Sequence, residues 1–259
     1  MLHRTAAAVV VAITLCTAVS AQVLYDGSAG GAPENQPWLT YQALPSGTFY
    51  VTTGGATTLD TTGSNTILAG WHNQNAALTS PKNASFPTLD RGAGFDVVID
   101  LRVLEEFHAN NDRAGFSLLA LADDKRGIEL SFWSNEVWAQ SGPSHLNPAE
   151  PLFTHAEGAA HNTATANRQR YVLSILGNSY TLTADGSPLL TGPVRDYTSW
   201  APPMGAPDVY EVPNMLSFSD NTTSASGAVE FSLVAIPEPG GVGAVLALGA
   251  MMLRRRGRE

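Results

Sequence analysis

The sequence predicts an all-β fold for the segment between residues 22 and 236. Apolar residues occupy every odd position from Phe95 to Val103, with mainly polar residues between them. This alternation is typical of a strand with one buried and one exposed face. The stretches 128–132 and 229–235 repeat it. No stretch of this segment combines a 3.6-residue apolar period with helix caps, so no helix is expected there.

Short turn sequences divide the chain into further strands. Gly177-Asn178 follows a predicted strand at 171–176, and Asp185-Gly186 follows another at 180–184. Both dipeptides favour the positive φ angles of two-residue hairpin loops, which predicts a meander up to residue 191. Further strands are predicted at 38–43, 49–53, 66–71, 115–121, 137–139 and 215–219. About a dozen short strands with alternating faces favour two stacked sheets in a jelly-roll sandwich.

The first 21 residues have the features of a signal peptide, and we expect the protein to be exported. A short basic start precedes the apolar stretch 6–15, and small residues occupy the last and third-last positions before Gln22. We therefore expect a signal peptidase to cut between Ala21 and Gln22. The apolar stretch is shorter than the roughly 20 residues that span a bilayer. Cys16, the one cysteine of the chain, lies in this segment, so disulfides and thiol catalysis are not expected after cleavage.

The other end of the chain carries three elements in a fixed order. Pro237, Glu238 and Pro239 precede an apolar run at 240–253, and Arg254, Arg255 and Arg256 follow it. As a helix the run would cover about 21 Å of a bilayer core that measures about 30 Å. The arginines would remain on the cytoplasmic side, which leaves everything before the run outside.

These three elements resemble the PEP-CTERM sorting signal, and the resemblance covers residues 237–258. It implies recognition by an exosortase-type membrane peptidase after transient insertion into the inner membrane. The tail is then removed, and the protein reaches the cell envelope, its outer surface or the extracellular matrix. An ordinary C-terminal membrane anchor is the alternative. The chain thus divides into a signal peptide (1–21), one domain (22–236) and a sorting signal (237–259).

A second resemblance concerns the domain between the two signals. The runs 113–117 and 127–133, the meander after Arg170 and the closing run 217–224 are similar to the concanavalin A-like sandwiches. More narrowly, they resemble the choice-of-anchor domains that accompany envelope-sorting signals, in particular choice-of-anchor Y. The resemblance covers roughly residues 23–236 and implies a jelly-roll sandwich. The shared motifs are structural, so they imply no catalytic set.

The charge of the domain excludes one class of partner. Residues 22–236 contain 9 basic and 21 acidic residues, a formal charge of −12. Binding to nucleic acid needs clustered positive charge along the phosphate backbone. We therefore expect no nucleic-acid partner.

The sequence contains no familiar catalytic set. Glycoside hydrolases use two carboxyl groups about 5–10 Å apart, yet Asp96 and Asp100, which share a strand face, lie about 14 Å apart. We expect Asp100 to pair with Arg102 at the surface instead. A nucleophile elbow, a zinc-binding His-Glu-x-x-His helix and a glycine-rich phosphate loop are also missing. We predict a protein that is not an enzyme, and a secreted carbohydrate-active enzyme with an unfamiliar carboxylate pair is the alternative.

Two kinds of binding residue remain as candidates. Trp133 and Trp138 flank a turn at 134–136, where an indole at a rim could stack against a sugar of an extracellular polysaccharide. Oxygen-rich loops contain Asp112 and Asp220, which we expect to satisfy turn backbones. The alternative is that these two residues contribute to a calcium site. No other cofactor is expected. The sequence predicts an envelope or matrix protein whose sandwich binds polysaccharide or occupies the surface.

Overall fold

The computed structural model describes residues 22–42, 47–203 and 206–237. Several predicted residues lie outside these ranges: Ala21, Glu238, Pro239, Arg254, Arg255 and Arg256. The signal peptide and the apolar run at 240–253 lie outside them too. Within the described residues, no helix has the length and apolar character needed to cross a membrane.

Strands account for nearly all regular structure in the described residues. In chain order they are β1 (Gln22–Asp26), β2 (Leu39–Gln42), β3 (Tyr50–Thr53), β4 (Ala56–Asp60), β5 (Ala69–His72), β6 (Phe95–His108), β7 (Ser117–Leu121), β8 (Arg126–Phe132), β9 (Glu136–Gln140), β10 (His155–Ala160), β11 (Gln169–Leu176), β12 (Ser179–Ala184), β13 (Ser187–Pro193), β14 (Arg195–Asp196), β15 (Leu216–Asp220) and β16 (Ala225–Ile236). Three single-turn 3-10 helices span Gly27–Ala29, Pro33–Asn35 and Val209–Glu211. The prediction of an all-β fold is confirmed.

The strands form two antiparallel sheets. Sheet A has the order β13-β12-β11-β6-β16-β4-β3, and β1 also pairs with β16. Sheet B has the order β10-β9-β8-β7-β15-β5-β2, and β14 also pairs with β8. Neighbouring strands in space are often distant in sequence, as where β6 lies between β11 and β16. The predicted two-sheet sandwich is confirmed.

One hydrophobic core fills the space between the sheets. Sheet A contributes the odd-numbered residues of β6, including Val97 and Ile99, and sheet B contributes Ile128 and Leu130. These are the inward positions that the alternating pattern predicts, because successive side chains of a strand point to opposite faces. A cluster of edge-to-face aromatic rings around Phe218 closes one end of the core.

Both predicted hairpins of the meander are present. Residues 177–178 join β11 to β12, and residues 185–186 join β12 to β13. Gly177, Asp185 and Gly186 have positive φ angles, as two-residue loops require. In β16, a register shift between Phe231 and Leu233 interrupts the predicted alternation. After this irregularity the even-numbered Val234 and Ile236 join the core.

The sequence did not predict β1, β4, β10 or the two-residue β14. β10 reads His-Ala-Glu-Gly-Ala-Ala and β4 reads Ala-Thr-Thr-Leu-Asp, and neither has a clear apolar alternation. β1 begins at Gln22 and pairs with the end of β16, so that Gln22 lies opposite Ile236. The first and last strands of the described chain therefore lie side by side.

The predicted ion pair between Asp100 and Arg102 is wrong. Asp100 pairs with Arg170, whose Nε and Nη2 both donate to its carboxylate at 2.8 Å. Arg102 pairs with Glu230 at 2.9 Å. In both pairs the partners lie directly opposite one another on neighbouring strands. Side chains directly opposite on neighbouring strands are closer together than side chains two residues apart on one strand. Each ion pair therefore forms across strands.

Substitution of Gly115 by alanine should destabilise the fold by at least about 2 kcal/mol, because overpacking of backbone against backbone cannot relax by a side-chain rotation. A Cβ at Gly115 would lie 2.0 Å from the carbonyl carbon of Ser226 and 2.4 Å from the nitrogen of Gly227. Urea unfolding of the full chain measures the effect. Gly63→Ala is the control, because its Cβ would meet only Ile67 at 3.8 Å. Equal urea midpoints for the two variants would contradict the close approach between Gly115 and the backbone of residues 226–227.

Candidate functional site

The outer face of sheet B carries a row of side chains that crosses five strands. Strand register places Gln140, Glu129, Leu119, Ser217 and His72 side by side on β9, β8, β7, β15 and β5. All five point away from the core, because their neighbours along each strand belong to it. The row mixes polar and apolar side chains, and it forms the floor of a cavity.

The cavity has a volume of about 570 Å³ and lies between this floor and segments that cross over it. One wall is the covering segment, which we define as residues 197–203 and 206–215. Trp200 and Tyr210 of this segment line the cavity, as do Asn221 and Phe153. The covering segment is held by a second apolar cluster, in which Leu119 of the floor packs with Tyr197, Tyr210 and Met215.

Glu129 lies at the centre of the floor with only 2% of its surface exposed. Its Oε2 accepts a hydrogen bond from the Tyr210 hydroxyl at 2.6 Å. Its Oε1 accepts one from Asn221 Nδ2 at 2.8 Å. Both donors are neutral, and among the described residues no salt bridge includes Glu129. Asp208 Oδ1 accepts from the backbone nitrogen of Tyr210 at 3.1 Å, which caps the 3-10 helix that presents Tyr210 to the carboxylate.

Tyr197 and Tyr210 remain protonated donors beside Glu129. Burial, and next the charge of Glu129, raise the pKa of both phenols well above the usual value of 10. The Tyr197 hydroxyl donates to the carbonyl oxygen of Gln140 at 2.9 Å and accepts from the backbone nitrogen of Glu129 at 3.2 Å. The two tyrosines therefore tie the covering segment to β8 and β9.

Gln140 stands next to Glu129 and has one amide atom without a partner. Its Nε2 donates to Ser131 Oγ at 3.3 Å and to the carbonyl oxygen of Asp112 at 3.4 Å. Its Oε1 is buried and has no hydrogen-bond partner. Only 4% of the residue is exposed, yet it lines the cavity. The floor thus contains a buried acceptor without a partner among the described residues.

Arg113 and two aromatic rings shape one end of the cavity. Arg113 Nη1 donates to the carbonyl oxygens of Asp112 and Phe153, both at 2.6 Å. The Trp200 ring meets Phe153 at 88° and Tyr210 at 82°. Trp200 and Phe153 are both partly exposed, so their rings can contact a ligand.

His72 is a neutral side chain at the opposite end of the floor. Burial, followed by the charge of Lys82, lowers the pKa of His72 from 6.5 to about 4. Its Nδ1 accepts from the backbone nitrogen of Gln74 at 3.2 Å, so Nε2 carries the proton. His72 therefore contributes no charge to the cavity near pH 7.

Neither Trp133 nor Trp138 offers the exposed ring that the sequence-based hypothesis requires. Trp138 is completely buried and Trp133 is 8% exposed. His108 stacks on Trp133 with ring centroids 4.1 Å apart, and His155 stacks on Trp138 at 4.3 Å. The rings that cover the indoles thus come from the last residue of β6 and the first residue of β10. Neither indole is therefore open to the stacking contact with a sugar that the sequence suggested.

Asp112 and Asp220 lie in different surroundings. Asp112 Oδ1 accepts from the backbone nitrogen of His155 at 2.8 Å. Asp220 is completely buried, with Oδ2 bonded to the Thr61 hydroxyl at 2.6 Å and Oδ1 to the backbone nitrogen of Thr222 at 3.2 Å. The described part of the chain contains no group of three or more histidine, cysteine or acidic side chains arranged to hold a metal.

The sequence reasoning missed Glu129, Gln140, Tyr210 and Asn221. One signal was available, since Glu129 is a charged residue at an outward position of the strand predicted at 128–132. The outward position predicts solvent exposure, however, and only the covering segment turns it into a buried one. Gln140, Tyr210 and Asn221 lie far apart in sequence and share no motif.

Comparisons with known proteins give information about the fold alone. No family model and no curated protein matches the chain. A carbohydrate esterase from the Shiga toxin-encoding bacteriophage phi24B is 13% identical, with a TM-score of 0.49 over 84% of this chain and 98% of its own. The carbohydrate-binding module CBM66 from Bacillus subtilis is 9% identical, with a TM-score of 0.42 over 78% and 96%. A protein of unknown function with a galectin-like fold, from the same organism, is 10% identical, with a TM-score of 0.48 over 84% of this chain and 96% of its own.

Asp220→Asn should stabilise the protein increasingly as the pH rises from 5 to 9. Burial, with a smaller contribution from Glu106, raises the pKa of Asp220 from 3.8 to about 8 despite its hydrogen bonds. Below pH 4 the folded and unfolded chains both keep the proton. Between pH 4 and 8 only the folded chain keeps it, so the wild type loses stability as the pH rises.

Thermal unfolding at pH 5, 7 and 9 measures this effect. The advantage of Asp220→Asn should grow by at least about 1.4 kcal/mol, the equivalent of one pKa unit. Asp60→Asn is the matched control, because exposed Asp60 likewise accepts from the backbone nitrogen of a threonine two residues on. A pH-independent difference between Asp220→Asn and the wild type would contradict the raised pKa.

Proposed function

We propose that this protein is an exported envelope or matrix protein whose β-sandwich binds a saccharide in the cavity over sheet B. The observation that carries the proposal is a cavity of about 570 Å³ whose lining combines the partly exposed rings of Trp200 and Phe153 with polar side chains. Under this proposal the domain is a concanavalin A-like jelly roll of the choice-of-anchor type. The ligand is an extracellular polysaccharide, and no cofactor is needed.

The chemistry of the cavity suits a sugar. Small-molecule sites combine apolar walls with a few placed polar groups. Ser217 and Asn221 are among the polar side chains that line the cavity. Trp200 and Phe153 offer ring surface on which the C–H face of a pyranose can pack. The cavity volume of about 570 Å³ lies within the usual range for ligand pockets.

Binding is favoured over catalysis by the number of carboxylates. Glycoside hydrolysis uses two carboxyl groups that flank the scissile bond. Among the described residues that line the cavity, Glu129 is the single acidic one. Both of its oxygens already accept hydrogen bonds, so neither a second acid nor a free base is present beside it. These features support a binding module.

Export and sorting follow from the two ends of the chain. Under the proposal, a signal peptidase removes residues 1–21, and an exosortase-type peptidase acts on the signal that begins at Pro237. The pairing of Gln22 with Ile236 supports this arrangement. Under the proposal, both processing points would lie next to the ends of the paired strands β1 and β16.

Trp200→Ala should weaken saccharide binding by about tenfold, which corresponds to about 1.4 kcal/mol of lost contact. A glycan array identifies the ligand, and calorimetry with the full chain then compares the variants. Phe107→Ala is the control, because Phe107 is an exposed aromatic residue of sheet A. If no polysaccharide binds, with or without calcium, the proposed binding role is wrong. The alternative is then a protein that only occupies the cell surface.

Replacement of Pro237, Glu238 and Pro239 by alanine should leave the C-terminal tail attached and the protein in the inner-membrane fraction. The reason is that the peptidase would lose the extended segment that the two prolines impose. Mass spectrometry and cell fractionation measure the outcome. Pro203→Ala is a control within the domain. Normal tail removal in the triple variant would overturn the assignment of the sorting signal.

A further inference from the structure

Arg113 differs from the other arginines of the described residues in its lack of an acidic partner. Each of the other described arginines forms a salt bridge with an aspartate or a glutamate: Arg91, Arg102, Arg126, Arg168, Arg170 and Arg195. Arg113 forms none with the acidic side chains of residues 22–42, 47–203 and 206–237. A guanidinium keeps its charge at any physiological pH, so the positive charge of Arg113 is available to a ligand.

The Arg113 guanidinium is held in place by one nitrogen, and its other edge is open. Nη1 donates to the carbonyl oxygens of Asp112 and Phe153, both at 2.6 Å. Nε and Nη2 have no hydrogen-bond partner in the described part of the chain, and they do not belong to its buried atoms without a partner. The Nε–Nη2 edge of Arg113 is therefore accessible to solvent.

Arg113 lies where the aromatic rings of the cavity stand. It is partly exposed and lines the cavity together with Phe153 and Trp200. Burial and the charge of Glu129 raise the pKa of Tyr210, and the charge of Arg113 opposes this rise. Arg113 is thus within electrostatic reach of the cavity wall, and a ligand that packs on the rings has a fixed cation beside it.

Another arginine of the chain shows what an Nε–Nη2 edge binds. Nε and Nη2 of Arg170 donate to the two carboxylate oxygens of Asp100, each at 2.8 Å. Two parallel donors match the two oxygens of a carboxylate, and such charge-assisted pairs are stronger than hydrogen bonds between neutral groups. Arg113 presents the same edge without a carboxylate from the described chain. A single hydroxyl group would leave its charge unpaired.

Two negative charges oppose an anion in the cavity. Glu129 lines the cavity, but both of its oxygens are engaged by Tyr210 and Asn221, and it does not lie within salt-bridge distance of Arg113. Repulsion falls with distance, whereas the two bonds from Arg113 act at contact. The net negative charge of the domain is screened beyond about 8 Å at physiological salt. We therefore expect the contact with Arg113 to outweigh both repulsions.

We infer that the Nε–Nη2 edge of Arg113 is a carboxylate subsite, through which the cavity selects an acidic saccharide such as a uronate polymer. This inference rests on the proposed function, because it names the class of ligand that the same cavity takes. The carboxylate of the sugar accepts from Nε and Nη2. The pyranose ring packs on Trp200 or Phe153.

Uronate hexamers and their methyl esters test the subsite with the full chain, because an ester keeps the sugar rings and removes the charge. Hexamers of galacturonate, guluronate and mannuronate are titrated by calorimetry at pH 7. The best acid should bind at least about tenfold more tightly than its own ester. A rise in NaCl from about 50 to about 300 mM should weaken the acid and leave the ester unchanged, because salt screens an ion pair.

Variants of Arg113 locate the effect. Arg113→Lys keeps the charge and can still donate to the backbone carbonyls, but it lacks the planar fork, so it should weaken the acid by about tenfold. Arg113→Gln removes the charge and should bind acid and ester alike. Arg126→Lys is the matched control, because Arg126 lies on β8 and does not line the cavity. Thermal unfolding of each variant separates loss of binding from loss of fold.

The outcomes distinguish the two levels of inference. If the esters bind as tightly as the acids, or if folded Arg113 variants bind the acids like the wild type, the carboxylate subsite is overturned while saccharide binding stands. The same holds if a glycan array finds only neutral or sulfated ligands. The comparison of acid with ester, and its salt dependence, decide the matter even if the variants do not fold. If neither the hexamers nor the array show binding, the proposed function fails and the subsite fails with it.

Discussion

The hydrogen bonds of Glu129 tie the outer face of sheet B to the segments that cover it, and the candidate site depends on this tie. A carboxylate taken out of water loses hydration that costs several kcal/mol, unless donors replace it. Tyr210 and Asn221 supply those donors from two separate stretches of chain. The same contacts that satisfy Glu129 therefore fix the wall and the rim of the cavity.

The sandwich below this site is closed by polar contacts at its edges as well as by its apolar core. Asp220 of sheet B bonds to Thr61, which directly follows β4 of sheet A. At another edge, Arg195 donates to Glu157 at 2.6 Å, and the Tyr180 hydroxyl donates to the other oxygen of Glu157 at 2.7 Å. The bonds of Asp220 with Thr61 and of Tyr180 with Glu157 cross between the sheets, whereas Arg195 and Glu157 both lie in sheet B.

Much of the fold could be predicted from local sequence patterns. The alternation in β6 and β8 identified which residues face the core, and the dipeptides at 177–178 and 185–186 identified both hairpins. β10 was not predicted, because its sequence of mainly glycine and alanine residues does not alternate between apolar and polar positions. Its position depends on pairing with β9, a contact that lies outside its own sequence. The ion pair predicted for Asp100 failed for the same reason, since its partner lies on a different strand.

The candidate site could hardly be predicted at all. The pattern of β8 places Glu129 outward, and the tryptophans around the turn at 134–136 looked suited to a rim. Burial reversed both expectations, because chain segments distant in sequence fold over the outer face of sheet B. The sequence by itself determined most of the strands, both hairpin turns and the acidic charge, and it predicts the two terminal signals, since each depends on residues close together in the chain. Only the tertiary structure decided which outward side chains are covered and which acceptor is left without a partner, because those depend on contacts between distant segments.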